Sequence, residues 1–461
     1  MKLTIPKWLS FQTYMYGTED SRTFISNERM HEYVLLEGLS SDLWKILADT
    51  EDYEKVKAWT QEKGLSSELD GFIESLQEQD LILKDISDLS NINTEIQPVG
   101  CDDENKTLEL ESDMTQWCYN HNFLFSLFVE LTYACNLKCV HCYNPKNINN
   151  IQIDFEKMKN IIDEAREIGC FNITFSGGEC TLDTDFIKIV EYARSKRMSV
   201  EIFTNGQTLY DNTELLDKLI ELYPCSIGLS LYSLNEETHD KITSVKGSYH
   251  KTLSVIEKLR EKNISVEIKN FLLNTNCKDC ISVKDYARKL NATSVADLSL
   301  IPTMDGDNKT LEYVVKEDDL FELYTNPKSP LYFKNIKKRD IANMQNESLC
   351  YAGCHILSIT PDLEVRPCVS LPINLGNLKE TSLKTIWQKS LSKNKNSKLY
   401  KWQQVSFKDL KECYQEDYCE FCAYCPGMGM LENGFLKKSD VLCNQAKAKQ
   451  KAYEHNKIAC V

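Results

Sequence analysis

The chain lacks any block of lysine and arginine. Its 54 Lys and Arg stand against 69 Asp and Glu, a formal net charge of −15. A reader of DNA or RNA ordinarily carries a basic stripe, so the balance speaks against a nucleic-acid partner. Also missing is an apolar run long enough to span a bilayer, which predicts no membrane partner. Residues 1–12 hold two lysines and a proline but not the apolar core of a secretory signal. These absences predict a cytoplasmic protein, in a compartment where thiols stay reduced. There the 19 Cys of the chain point to metal or redox chemistry and away from disulfides. Five of them (Cys101, Cys118, Cys170, Cys225 and Cys460) stand alone and read as small buried hydrophobes, and the pair Cys277 and Cys280 is read the same way.

What is present divides into five stretches. Residues 1–88 show two strand-like runs, Phe11 to Tyr16 and Tyr33 to Leu36, and then three amphipathic helices. The first helix buries Leu43, Trp44, Ile46 and Leu47; the third aligns Leu69, Phe72, Ile73 and Leu76. That order predicts a winged-helix-like module. Residues 89–121 are polar and acidic and read as a linker. Over 122–302, six apolar strands alternate with helical patterns: Phe125–Thr132, Phe171–Phe175, Ser199–Thr204, Ser226–Leu231, Ser265–Phe271 and Ala296–Ile301. Repeated strand–helix units imply an α/β fold with a parallel sheet, here a partial (β/α)6 barrel of the TIM type, whose chemistry sits at the C-terminal ends of the strands. Residues 303–345 form a bridging region, and 346–461 are Cys-rich with short strand signals at Ile356–Thr360 and Glu364–Pro367.

Directly after the first barrel strand comes Cys135-Asn-Leu-Lys-Cys139-Val-His-Cys142, a CxxxCxxC loop. With this many cysteines, chance would produce a given three-Cys spacing roughly 0.03 times per chain. Three thiolates hold three irons of a four-iron cluster and leave the fourth open to a ligand that is not protein; a closed structural site would need four. After the second strand comes Gly177-Gly178-Glu179, where two glycines permit close backbone approach and the carboxylate suits a ligand ammonium. Thr204-Asn205-Gly206 follows the third strand, and Ser230 ends the fourth. Each alone reads as an ordinary βα turn. In order, at successive strand ends of one sheet, they form a site.

On these residues the chain resembles the radical S-adenosylmethionine (AdoMet) superfamily. The resemblance covers about residues 122–302. It implies that Cys135, Cys139 and Cys142 bind a 4Fe–4S cluster whose open iron chelates AdoMet. It implies AdoMet contacts from Gly177, Gly178, Glu179, Thr204, Asn205 and Ser230, and reductive cleavage to a 5′-deoxyadenosyl radical. Two positions depart from the family pattern: Cys180 stands where proline is usual, and His141 where an aromatic residue packs near adenine.

The C-terminal cysteines Cys350, Cys354, Cys368, Cys413, Cys419, Cys422, Cys425 and Cys443 suffice for two four-thiolate clusters. With Arg366-Pro367-Cys368 and Cys425-Pro426-Gly427, the region resembles the SPASM domain of peptide-modifying radical AdoMet enzymes. By that resemblance one auxiliary cluster takes Cys350, Cys354, Cys368 and Cys425. The other takes Cys413, Cys422, Cys443 and a fourth ligand, Cys419, because Glu416 stands where the family has a cysteine. The total is three 4Fe–4S clusters and AdoMet. A zinc site of Cys413, Cys419, Cys422 and Cys425 is the alternative that thiol chemistry alone leaves open.

Residues 1–88, with Tyr33-Val-Leu-Leu-Glu-Gly-Leu39 before Leu43-Trp44, resemble the PqqD-like element that binds the leader of a precursor peptide by strand addition. The combined resemblance implies a maturase of ribosomally made peptides that installs a crosslink: a thioether of the sactipeptide or ranthipeptide type. Its partners would be the precursor peptide and an electron donor such as flavodoxin or ferredoxin. Carbon–carbon crosslinking, maturation of another protein (formylglycine or quinocofactor type) and a non-catalytic zinc-stabilised peptide binder are the alternatives. Tyr232 and Asp305-Gly306-Asp307 are candidates to shape the substrate side.

Overall fold

The computed structural model describes residues 2–84, 94–97, 104–145, 151–332 and 337–459. Of the cysteines read as buried hydrophobes, Cys118, Cys170, Cys277 and Cys280 are buried and Cys225 is half-buried; Cys101 and Cys460 lie outside the described residues.

The N-terminal module runs β1 (Leu3–Thr4), β2 (Leu9–Tyr14), β3 (Arg22–Asn27), β4 (Glu32–Glu37), α1 (Leu39–Thr50), α2 (Tyr53–Lys63), α3 (Leu69–Glu78) and β5 (Leu83–Lys84). β2, β3 and β4 form an antiparallel meander, and β1 pairs with β5. The middle strand β3 carries no apolar alternation because both of its faces are covered and several of its buried side chains are polar. Thr23 shares hydrogen bonds with Thr13 and Ser41, and Ser26 donates to Glu28. One face of the meander packs on α1, where Phe11 meets the ring of Trp44 edge-on at 5.4 Å. The other face packs on the barrel: Phe24 lies 4.8 Å from Phe171 and 6.0 Å from Phe125, ring to ring. Arginines of the barrel helices reach the module's backbone, Arg166 to the Phe11 carbonyl at 2.8 Å and Arg194 to that of Lys7 at 3.0 Å.

The stretch expected as an acidic linker contains a helix, α4 (Glu104–His121). Met114, Trp117 and Cys118 of α4 are buried among Tyr14, Phe24 and Phe125, so its apolar face closes the joint between module and barrel.

The barrel alternates β6 (Ser126–Thr132), α5 (Phe155–Glu167), β7 (Asn172–Gly177), α6 (Phe186–Ser195), β8 (Ser199–Thr204), α7 (Gln207–Asp211), α8 (Thr213–Glu221), β9 (Ser226–Ser230), α9 (Glu236–Thr243), α10 (Ser248–Glu261), β10 (Val266–Phe271), α11 (Cys280–Lys289) and β11 (Thr293–Asp297). All six strands are parallel and stand in sequence order, and the sheet does not close on itself. Helices are set by ordinary signals. Asp154 caps α5 by accepting from the Lys157 N–H at 2.9 Å, and Met158, Ile161, Ile162 and Ala165 are buried against the strands. The sixth strand lies three residues earlier than the apolar run Ala296–Ile301 suggests.

Beyond α12 (Glu317–Thr325) the Cys-rich region does not detach. Its β12 (Ile356–Ile359) pairs in parallel with β6, and β13 (Glu364–Arg366) and β14 (Gly376–Asn377) extend the sheet to nine strands. Then come α13 (Leu383–Leu391), α14 (Lys398–Gln403), α15 (Pro426–Asn433) and α16 (Asp440–Ala459), with α16 packing Ala448 and Ala452 against Leu320 and Leu323 of α12. Among the described residues, no helix is long and apolar enough to cross a membrane.

Candidate active site at the open end of the barrel

The cysteine loop leaves β6 and is clamped by the loop after β7. The Gly178 N–H donates to the Thr132 carbonyl at 2.7 Å and the Glu179 N–H to that of Ala134 at 2.8 Å. A Cβ on Gly177 would stand 2.3 Å from the Thr132 oxygen, and one on Gly178 2.3 Å from that of Ala134; Gly177 also has φ +135°. Both glycines are therefore demanded by the cysteine loop's own backbone.

Glu179 is 1% exposed. Its Oε1 accepts from the Thr181 hydroxyl at 2.5 Å, the Thr204 hydroxyl at 2.5 Å and the Thr181 N–H at 3.3 Å; its Oε2 accepts from the Asn205 N–H at 2.7 Å. Burial raises its pKa and these bonds oppose the rise. The carboxylate thus ties the β7 and β8 strand ends together. Asn205 in turn donates from Nδ2 to Asn136 Oδ1 at 2.8 Å and lies 3.7 Å from Cys135 Sγ. Ser230 ends β9, half-buried, within hydrogen-bond reach of the Tyr232 hydroxyl, which also meets Cys139. Cys180 is buried and its thiol donates to the Phe203 carbonyl at 3.4 Å. His141 stacks on Phe271 with ring centroids 4.9 Å apart and meets Tyr232 edge-on. Burial pushes the His141 pKa down to about 4, so the ring is neutral, and Nδ1 has no hydrogen-bond partner among the described residues. Asp305 and Asp307 are used locally: Thr303 donates to the Asp305 carboxylate, and Asp307 caps the Lys309 N–H at 3.0 Å.

Cys135 and Cys142 are exposed and Cys139 is half-buried. Burial of the sulfur first, then Glu179 and Cys142, pushes Cys135 up to about 11; burial first, then Cys142 and Cys135, pushes Cys139 up to about 12. Three thiolates in this loop therefore need a cation among them, the environment that iron supplies.

The distal cysteines gather in two groups, and Cys422 and Cys425 pack in one cluster with Tyr143, the residue after Cys142. Cys350 and Cys368 pack around Ala352, Leu371 and Trp402. Burial raises the Cys350, Cys354 and Cys368 thiols; Cys425 is near enough to add to the rise at Cys350 and Cys368, and Cys350 to that at Cys354 and Cys368. Cys413, Cys419, Cys422 and Cys443 line a cavity of about 260 Å³, with Glu416 also on its wall. Cys413 is pushed up to about 11 and Cys422 to about 12, by burial first and then by the other thiols. Among the described residues, no group of three or more His, Cys, Asp or Glu closes to a single-ion site. One zinc would draw its sulfurs to ~2.3 Å from a common centre, whereas each iron of a four-iron cluster takes its own thiolate and leaves the sulfurs spread.

Sequence reading missed Glu130. It faces the barrel interior from β6, 3% exposed, and accepts from the Tyr143 hydroxyl at 2.9 Å. Burial pushes its pKa up to about 7, against the pull of Tyr143 and Arg366. The available signal was one acidic residue inside the apolar strand Leu127-Phe-Val-Glu-Leu131.

The profile of the Radical SAM superfamily matches residues 129–275, and that of the SPASM iron-sulfur cluster-binding domain matches residues 350–426. The antilisterial bacteriocin subtilosin biosynthesis protein AlbA of Bacillus subtilis is 30% identical over 343 residues, which cover 70% of this chain and 71% of AlbA. An AdoMet-dependent heme synthase of Methanosarcina barkeri is 24% identical over 338 residues, 68% of this chain and 94% of the relative. The crystal structure of Streptococcus suis SuiB bound to precursor peptide SuiA superimposes with a TM-score of 0.56 over 95% of this chain and 99% of SuiB; at 14% identity this is a likeness of fold.

Proposed function

Because the chain belongs to the radical SAM superfamily and carries its SPASM iron–sulfur domain, we propose that it is a maturase that crosslinks a ribosomally made precursor peptide. The observation that supports this best is the pair of distal four-thiol groups, in a chain 30% identical to a protein of bacteriocin biosynthesis. The crosslink we favour is a thioether, and carbon–carbon bonding is the nearest variant. Cys135, Cys139 and Cys142 hold one 4Fe–4S cluster; Cys350, Cys354, Cys368 and Cys425 hold a second; Cys413, Cys419, Cys422 and Cys443 hold a third.

When bound, the first cluster and AdoMet supply a 5′-deoxyadenosyl radical that takes hydrogen from the peptide. This chain's residues build the seat. Gly177 and Gly178 let the β7 loop press on the cysteine loop. Glu179 fixes Thr204 and the Asn205 backbone, and with Ser230 these polar groups line the AdoMet side. His141, neutral and stacked on Phe271, forms an apolar wall beside Cys139 and Tyr232.

The leader docks on residues 1–88 by adding a strand to β4. The opposite edge, β2, is already engaged: the Phe11 N–H donates to the Arg197 carbonyl at 2.9 Å. The electron comes from a flavodoxin or ferredoxin, and the reaction runs in the cytoplasm. Coexpression with a neighbouring precursor gene without oxygen, followed by mass spectrometry, tests the reading. Crosslinking predicts a loss of hydrogen mass for each bond formed, and a thioether predicts cysteines that no longer alkylate. An unmodified precursor would refute the proposal; alkylatable cysteines in a lightened peptide would refute the thioether.

A further inference from the structure

Between Glu380 and Asp409 the chain has seven lysines and no acidic residue, although its net charge is −15. Scattered among Asn, Ser and Gln, these lysines form no block in the sequence; the fold makes them a patch. Lys384 is committed to Glu167 of α5. Lys389 ends α13, Lys393 and Lys395 occupy the turn that follows, and Lys398 and Lys401 stand on one face of α14. All five are exposed, and none has an ion pair among the described residues.

The other face of α14 covers the first group of distal cysteines. Trp402 donates from Nε1 to the Ala352 carbonyl at 2.7 Å, and Gln403 from Nε2 to that of Gly353 at 2.7 Å. The Trp402 ring, 4% exposed, packs in one cluster with Cys350 and Cys368. One layer of side chain therefore separates a lysine face from thiols that the proposed function assigns to an auxiliary cluster. A lysine face costs nothing in water, so its charge alone would be only a solvated surface. Its place, over the proposed cluster ligands in a protein of net charge −15, gives it a use.

We infer that the α13–α14 lysine face is the docking surface for a small acidic one-electron carrier, of which reduced flavodoxin is the probe. The inference rests on the maturase reading. The carrier gives up one electron and is oxidised by one; the iron held by Cys350, Cys354, Cys368 and Cys425 is reduced by one, with Trp402 lying between. Electrostatic complementarity makes the association fast and salt-sensitive.

The test uses the anaerobic holoenzyme and a variant with Lys393→Glu, Lys395→Glu, Lys398→Glu and Lys401→Glu. Flavodoxin binding is measured by titration calorimetry at low and high salt. The native protein should bind with an affinity that falls as salt rises, and the variant should bind at least tenfold more weakly with little salt dependence. Equal affinity in the two proteins would overturn the inference, as would binding of a DNA duplex that the variant alone loses. AdoMet cleavage driven by dithionite, which needs no docking, should match in both. Cleavage lost equally with dithionite and with flavodoxin would mean that the substitutions damage the core and would also overturn it. Absence of dithionite-driven cleavage in the native protein would instead strike the maturase reading, while the binding comparison stands by itself.

Discussion

The Asn205 backbone N–H donates to Glu179 Oε2 at 2.7 Å, and through that bond the end of β8 is held to the end of β7. Asn205 then passes the constraint to the cysteine loop through Asn136 at 2.8 Å. Three strand ends are thus linked by one buried carboxylate and two side-chain amides.

Replacing Glu179 by Gln tests this link. The amide keeps one oxygen, which can serve the two threonine hydroxyls, but its NH2 group then faces the Asn205 N–H. A buried donor left without an acceptor costs ~1–3 kcal/mol. The variant should melt several degrees lower and bind AdoMet more weakly, both readable by an anaerobic thermal melt with and without AdoMet. Unchanged melting and affinity would show that the carboxylate is not the strut.

The two kinds of cysteine group predict different losses. Cys139→Ala should remove about four irons per chain and abolish AdoMet cleavage. Cys368→Ala should remove a similar amount, leave some cleavage and stop product formation. Iron assay, chromatography of 5′-deoxyadenosine and mass spectrometry of the peptide separate the cases. Normal cleavage by the first variant, or full product from the second, would contradict the assignments.

Cys419 and Glu416 share the wall of the 260 Å³ cavity, so the fourth ligand there can be identified by subtraction. Cys419→Ser should lose about four irons, with one cluster signal gone from the low-temperature electron paramagnetic resonance spectrum, whereas Glu416→Gln should keep the full complement. The reverse pattern would move the ligand to Glu416.

The sequence exposed some of this architecture and hid the rest for physical reasons. Buried parallel strands are apolar on both faces, so β6 to β10 stand out within two residues of their observed ends. β11 is an edge strand with Thr293 and Val295 exposed, and its weak signal was eclipsed by the next apolar run, where Leu300 and Ile301 are buried outside the sheet. β3 was invisible because Thr23, Ser26 and Asn27 are buried polar residues. The cysteines proposed as cluster ligands declare themselves by spacing. Glu179's partners, Glu130's burial and the lysine face all depend on which segments meet, which spacing does not record.

Glu130 carries the pH dependence that follows from this burial. Its pKa is about 7 in the folded chain, against ~4.3 in an unfolded one. Between those values the folded state holds a proton that the unfolded state has released. Stability is therefore fully present below the unfolded value and is lost as pH rises through about 7, by a few kcal/mol. Glu130→Gln keeps the shape, accepts from Tyr143 with its amide oxygen, and cannot ionise. Anaerobic melts from pH 5.5 to 8 should show the native protein falling relative to the variant across this window. Parallel curves would show that the carboxyl ionises without cost, and that Arg366 compensates it fully.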